Sequence, residues 1–341
     1  MSFYNKDILT SKPKLLDGNL QLIASAGSGK TEFVSERIAI QIQKGIAKPE
    51  QIVAFTFTEK AAEELKFRVR AKIKELLGHQ PDIGDMYIGT IHAFAFKILQ
   101  DFIPIYRGFD MLDDVGRMAF LSSIKKELNV QYLKNSLQKH FRRPYRRNRE
   151  NWAFSVFIND LDKFIEEGWN VDEIATSDCF KNAFKVYQEK MKKKRFLDFS
   201  SIQRIAVDTL KNNDYILDNI RNQYNYFTVD EYQDVNPIQE ELIQLISGKE
   251  NVCVVGDDDQ SIYQWRGADV NNILTFQSRY PDVAVYKLEI NRRSHDKIVL
   301  SAKDLIEKNT ERLDKAIKDK GIKSEAGDLY KLTFNTQPEE C

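Results

Sequence analysis

The chain has 341 residues with 51 basic and 51 acidic side chains; it is long enough for two or three domains with ample cores, and its balanced charge excludes a global pull toward nucleic acid, leaving such binding to local patches. Its three cysteines, Cys179, Cys253 and Cys341, share no metal-ligand spacing and suit a reducing compartment. The amino terminus is polar and no apolar run approaches the roughly 20 residues of a membrane span, so the chain reads as cytosolic.

Residues 1–19 lack strong periodicity and lead into a strand at about 20–25. The strand runs into Ala24, Ser25, Ala26, Gly27, Ser28, Gly29, Lys30 and Thr31, a glycine-bearing turn at the start of a helix. This is the pattern of a phosphate-binding loop: Gly27 and Gly29 free the backbone to turn its N–H groups inward. Lys30 reaches toward the β- and γ-phosphates and the Thr31 hydroxyl takes a position on Mg²⁺. Glycine is usual where Ala24 stands. The helix is expected from Lys30 to about Gln43, ended by Gly45. An apolar run from Gln51 to Phe57 comes next, as in a strand buried on both faces; strand, helix and strand together predict a parallel sheet.

The segment from Thr56 to Ala62 opens a long helix reaching about Leu77. Phe57 falls at the carboxyl end of its strand, where open parallel sheets bind ligands; it suits stacking on a base, although spacing alone favours a core aromatic. A short strand at 86–89 leads into Thr90, Ile91 and His92 and another helix. A lone histidine such as His92 is more often a hydrogen-bonded structural residue than a catalyst. From about 101 to 195 the segments are helical, charged and free of glycine-rich turns, which predicts an inserted helical subdomain. Within it Lys139 to Arg149 carries six cations and no acid around Phe141 and Tyr145, a composition shared by a nucleic-acid-binding patch and a solvated loop. Residues 192–195, Lys-Lys-Lys-Arg, form a weaker patch.

Sheet signals resume at Tyr226 and end in Asp230 and Glu231. An aspartate there, across from a phosphate loop, is placed to hold Mg²⁺, and the adjoining glutamate to polarise water. Another buried strand at 252–256 ends in Asp257-Asp258-Asp259-Gln260, where Gln260 offers an amide toward the γ-phosphate. Tyr263, Trp265 and Arg266 lie just beyond, aromatics beside an arginine that suit base stacking.

Together the blocks A-S-A-G-S-G-K-T, T-F-T-E-K-A-A, G-T-I-H, D-E-Y-Q-D, G-D-D-D-Q-S-I-Y-Q-W-R-G-A-D and N-R-R-S resemble, in order and across nearly the whole chain, the motifs of the UvrD/Rep family of superfamily 1 DNA helicases. Leu197-Asp198-Phe199 resembles a further family element, with Ser200 and Ser201 where acids are usual. The resemblance implies an α/β fold: a P-loop NTPase, RecA-like parallel sheet formed by 1–100 and 196–290, an all-helical insert at 101–195, and the start of a second RecA-like domain at 291–341, which includes an expected strand at 328–334. It implies ATP and Mg²⁺ as cofactors and single-stranded or tailed duplex DNA as partner. Lys30 and Thr31 then bind phosphate and metal, Asp230 the metal, Glu231 activates water, and Gln260 couples the γ-phosphate to a DNA track containing Phe57, His92, Tyr263, Trp265 and Arg266. Arg293 corresponds to an arginine finger, and Arg292 stands where a tyrosine usually stacks on adenine, a task a guanidinium plane can share.

No upstream glutamine motif for adenine is evident. With only the threshold of a second motor domain, either a chain cut before that domain or a naturally shortened relative, the expectation is a weak ATPase that does not unwind DNA by itself. The alternatives are the helicase part of a recombination-type helicase-nuclease, suggested by the A-S-A-G form of the loop, and a nucleotide-gated single-stranded DNA binding module without translocation.

Overall fold

The computed structural model describes residues 5–79, 83–130, 132–133, 150–262, 267–310 and 312–325. The expectations for Lys139 to Arg149, for Tyr263, Trp265 and Arg266, and for a strand at 328–334 therefore lie outside the described residues.

Strands β1 (Leu20–Ala24), β2 (Ile52–Phe55) and β3 (Tyr87–Gly89) come first in the chain. The short β4 (Asp110–Leu112) and β5 (Phe196–Asp198) come after them, and β6 (Tyr226–Val229), β7 (Val252–Gly256) and β8 (Ala284–Leu288) complete the frame. Six of them make one sheet in the order β3-β2-β6-β7-β1-β8, parallel throughout. Every residue of β1, β2 and β7 is buried, because helices cover both faces of a parallel sheet. Alternation divides the strands between two cores: Val53, Phe55, Val252 and Val254 face one, and Ala54, Cys253 and Val255 the other. Cys253 is accordingly a small core residue, its thiol pushed up by burial.

The helix Lys30–Gln43 begins on Gly29 at φ 98°, and the helix Glu59–Leu77 is capped by the Thr58 hydroxyl and ends on Gly78 at φ 75°; both occupy the span expected from their periodicity. None of the described helices is long and apolar enough to cross a membrane.

Between β4 and β5 lies a helical unit with its own core, in which Phe120, Leu121, Phe154, Phe157, Leu161 and Tyr187 pack together. Its neck is a two-stranded parallel ladder, Asp110↔Phe196 to Leu112↔Asp198, a feature that segments of three residues do not announce in sequence. The exposed Lys192, Lys193 and Lys194 occupy the last turn of the helix Asp178–Lys194, where the helix dipole favours cations.

An ionic cluster locks this neck. Arg117 forks onto Asp162 at 2.7 and 2.8 Å and donates to the Tyr187 hydroxyl at 3.2 Å. Tyr187 in turn donates to Asp198 at 2.8 Å, and Asp198 caps the helix Phe199–Lys211 by accepting from the Ser201 N–H at 2.8 Å. The Ser200 hydroxyl lies 3.0 Å from Asp162 and 2.9 Å from Glu166. A carboxylate at position 200 would face two others here, so serine relieves a repulsion.

Burial, and then the charge of Asp162, push the Glu166 carboxyl up to about 7, against the pull of Ser200, Arg117 and Asn236. An unfolded glutamate titrates near 4.3. Between those values the folded chain holds a proton that the unfolded chain releases, so stability falls as pH rises through that window. Glu166→Gln should remove this slope: urea unfolding at about pH 5 and pH 8 should show the wild type losing about 1–3 kcal/mol more than the variant. Equal losses would mean that Glu166 ionises freely in the fold.

Candidate nucleotide site and its adjoining cleft

Because all six strands run the same way, their carboxyl ends share one edge. Ile23 is level with Gly256 across β1 and β7, Val254 with Val229 across β7 and β6, and Val229 with Phe55 across β6 and β2. The phosphate-loop turn, the acids after β6 and the Asp257–Gln260 turn are thereby neighbours on one half of the edge. Phe57 and His92, after β2 and β3, lie on the other half.

Lys30 Nζ donates to Glu231 Oε2 at 2.7 Å, joining residues 201 positions apart in the chain. Glu231 has φ 50°, a left-handed conformation uncommon for a residue with a Cβ, and its N–H donates to Asp230 Oδ1 at 2.9 Å. Burial, then the Glu231 carboxylate, push the Asp230 carboxyl up to about 6, while Lys30 pulls it down. Asp234 is also pushed up to about 6, by burial and then by Glu231. Carboxylate and hydroxyl oxygens are the donors that Mg²⁺ prefers, so Asp230 and Thr31 are of the right chemical type, although among the described residues no three His, Cys, Asp or Glu side chains form a metal-holding group. The buried Ser28 hydroxyl in the turn makes no hydrogen bond within the protein, which agrees with a loop shaped for an external polar group.

Gln233, to which sequence alone assigns no role, wires these turns together. Its Nε2 donates to Glu231 Oε2 at 3.0 Å and Asp234 Oδ2 at 3.1 Å, and its Oε1 accepts the Asp257 N–H at 3.0 Å. Its side chain passes so close to Gly256 that a Cβ there would lie 2.7 Å from Gln233 Oε1. The only sequence signal was its place in D-E-Y-Q-D. Gln260 is held by Asp257, to whose Oδ2 its amide donates.

Asn291, also unassigned from sequence, ties the N-R-R-S block to the phosphate loop. Its Nδ2 donates to the Ala26 carbonyl at 2.9 Å, and its Oδ1 accepts from the N–H groups of Arg293 and Ser294 at 2.9 and 2.8 Å. The Arg292 N–H donates to the Gly27 carbonyl at 2.9 Å, and the Ser25 N–H to the Leu288 carbonyl at 3.0 Å. Arg292 and Arg293 are exposed beside the loop, and Ala24 is a buried end of β1.

A cleft of about 800 Å³ opens between the sheet edge and the helical unit, running from Phe57 and His92 to the acids after β6. Its walls include Phe57, His92, Phe199, Asn159, Lys163 and Glu231. Phe57 is 41% exposed, so it is not the core aromatic that spacing favoured. The His92 ring stacks on Phe199 with centroids 4.2 Å apart. Its Nε2 is 3.1 Å from the Thr90 hydroxyl, which donates to Glu59 at 2.9 Å. Burial lowers the His92 pKa, with Glu59 opposing, and the Phe199 stack and the Thr90 contact hold the ring on the cleft wall.

The family model described as "UvrD/REP helicase N-terminal domain" matches residues 6–281. The chain is 35% identical over 320 residues to the ATP-dependent DNA helicase PcrA of Bacillus subtilis (strain 168), covering 91% of this chain and 41% of that protein. It is 33% identical over 311 residues to the protein of the same name from Staphylococcus aureus (strain Mu50), covering 89% and 40%. The Staphylococcus epidermidis protein of that name is 32% identical over 308 residues, with 88% and 40% covered. The chain thus spans about two fifths of the length of the curated relatives it matches.

Two glycines of the loop separate backbone strain from contact. Gly27 has φ 67°, and a Cβ there would lie 2.9 Å from Arg293 Cβ and 3.0 Å from the Asn291 amide; Gly29 has φ 98°, but its Cβ would meet nothing nearer than 3.9 Å. Gly29→Ala should therefore cost only the left-handed penalty of about 1–2 kcal/mol. Gly27→Ala should cost about 1–3 kcal/mol more by overpacking. Chemical denaturation of the two variants checks this, and equal losses would show that the Asn291 bracket yields freely.

Proposed function

The chain belongs to the UvrD/REP helicase family, and from that premise we propose that it is an ATP-binding and hydrolysing motor unit of a DNA helicase acting on single-stranded DNA or a tailed duplex. The observation that carries this reading is the convergence of Lys30, Glu231, Gln233 and Asp257 through one chain of contacts at the carboxyl edge of the sheet, with Phe57 and His92 on the same edge.

Each group has a chemical task. Backbone N–H groups of the loop and the Lys30 ammonium bind the phosphates, and phosphate oxygens compete with Glu231 for that ammonium. Glu231, kept in place by Gln233, is then available to accept a proton from water as the water attacks the γ-phosphate. Thr31 and Asp230 would hold Mg²⁺, which neutralises charge on the phosphates. One N–H of the Gln260 amide is committed to Asp257, and the second is the donor for a γ-phosphate oxygen. Arg293 adds charge beside the loop, and Arg292 offers a guanidinium plane to the base. Single-stranded DNA would cross the other half of the edge over Phe57 and His92, and the same reading gives Tyr263, Trp265 and Arg266 a DNA-contacting role.

Lys30→Ala should abolish Mg·ATP binding measured by calorimetry. Glu231→Gln should bind Mg·ATP within about threefold of the wild type while hydrolysis falls by about 10²-fold or more. Unchanged affinity in the first variant would remove the phosphate loop from the site, and unchanged turnover in the second would move the base elsewhere.

A further inference from the structure

Three consecutive carboxylates, Asp257, Asp258 and Asp259, come directly after β7, and a segment far along the chain closes over all of them. Lys315, buried, donates to Asp257 Oδ1 at 2.6 Å and to Asp258 Oδ1, and lies 3.0 Å from Asp259 Oδ2. Arg312 forks onto Asp259 through Nε at 3.0 Å and Nη2 at 2.6 Å. The Leu313 N–H donates to Asp258 Oδ2 at 2.8 Å. The same segment continues as β10 (Lys318–Asp319), which pairs in parallel with β9 (Ile290–Asn291), so it is anchored both at the acidic turn and at the strand that carries Asn291.

Burial opposes the charge on Lys315, yet Asp257 and Asp258 outweigh it and raise its pKa. The ammonium is thus a fixed cation inside an acidic turn, and neutralising it would leave three carboxylates with Arg312 as their remaining cation among the described residues. Asp257 shares its oxygens among three donors. Lys315 and the Asp259 N–H, the latter at 3.3 Å, meet Oδ1, while the Gln260 amide meets Oδ2. The carboxyl plane that orients Gln260 is therefore set from its far side by Lys315.

We propose that Lys315 is a positioning residue for Gln260: by fixing Asp257 it aims the Gln260 amide at the terminal phosphate, so that the segment after Arg293 governs discrimination between nucleoside triphosphate and diphosphate. The role rests on the reading of Gln260 as a γ-phosphate ligand. A purely structural clamp would act on both nucleotides alike, whereas a positioning residue acts on the one that carries a γ-phosphate.

The test measures binding of Mg·ATPγS and Mg·ADP to the full 341-residue chain by calorimetry. Lys315→Met should weaken ATPγS binding about tenfold, the loss of one hydrogen bond to a charged group, with ADP affinity kept within about twofold; Lys315→Arg should restore most of the difference. If Lys315→Met does not fold, adding Asp258→Asn removes one uncompensated charge while keeping Asp257 unsupported, and the same selective loss is expected. Equal loss of both nucleotides, or no loss of either, overturns the proposal. Gln260→Ala separates the two levels. If it lowers ATPγS affinity selectively and Lys315→Met does not, the positioning role alone fails. If Gln260→Ala leaves ATPγS binding unchanged, the γ-phosphate reading fails and the role of Lys315 with it.

Discussion

A sheet whose strands all run in one direction has one chemically distinct edge, and the candidate site is built on that constraint. Parallel pairing from β3 to β8 sends every crossover through a helix, so each strand's carboxyl end meets a turn on the same side. Residues separated by some 200 positions come into contact without a long search: Lys30 and Glu231 need only β1 and β6 to flank β7. The two halves of the edge differ in the residues that succeed each strand. Acids and glycines succeed β1, β6 and β7, and an aromatic and an imidazole succeed β2 and β3.

Glu231, Gln233, Asp257 and Asn291 in that edge are paired by other polar groups, which is what fixes their geometry. Glu231 adopts a left-handed backbone at a cost of about 1–3 kcal/mol, and Gln233 and Lys30 hold it there. The Asp257 N–H and the Glu231 carboxylate share the Gln233 amide, so a shift after β6 is felt after β7. Asn291 performs the same service between β8 and the phosphate loop. Networks of this kind are worth more complete than partial, since each unpaired buried member costs its desolvation. The turns therefore behave as one connected unit.

The helical unit is attached by the same logic, although its core is apolar. A three-residue ladder contributes little alone, and the Arg117, Asp162, Tyr187 and Asp198 cluster gives the neck its orientation. Asp198 belongs to both sides: it accepts from Tyr187 of the helical unit and caps the helix Phe199–Lys211, which packs on the parallel sheet. Removing Arg117 would leave Asp198 buried with its charge poorly compensated, a change that typically costs about 3–5 kcal/mol.

Local chemistry made much of this legible in the chain itself. The turn from Ala24 to Thr31, the fully apolar strands and the helix from Glu59 to Leu77 depend on backbone freedom, burial on two faces and a 3.6-residue period, and all three are written in consecutive residues. The acids after β6 were legible for the same reason. The tertiary structure alone decided the pairing between distant turns. Gln233 and Asn291 stand inside D-E-Y-Q-D and N-R-R-S, and Lys315 in no such block, but nothing local gives any of them a task; each is significant because its partner, Asp257 or Ala26, is brought beside it by strand order. Phe57 shows the same limit, for its place at a strand end fits either a core or a cleft, and only the packing of the helical unit across the edge left it on the cleft wall. Periodicity reports which side of an element is buried, whereas register and strand order, set by the cooperative packing of the whole sheet, determine what a side chain meets when it gets there.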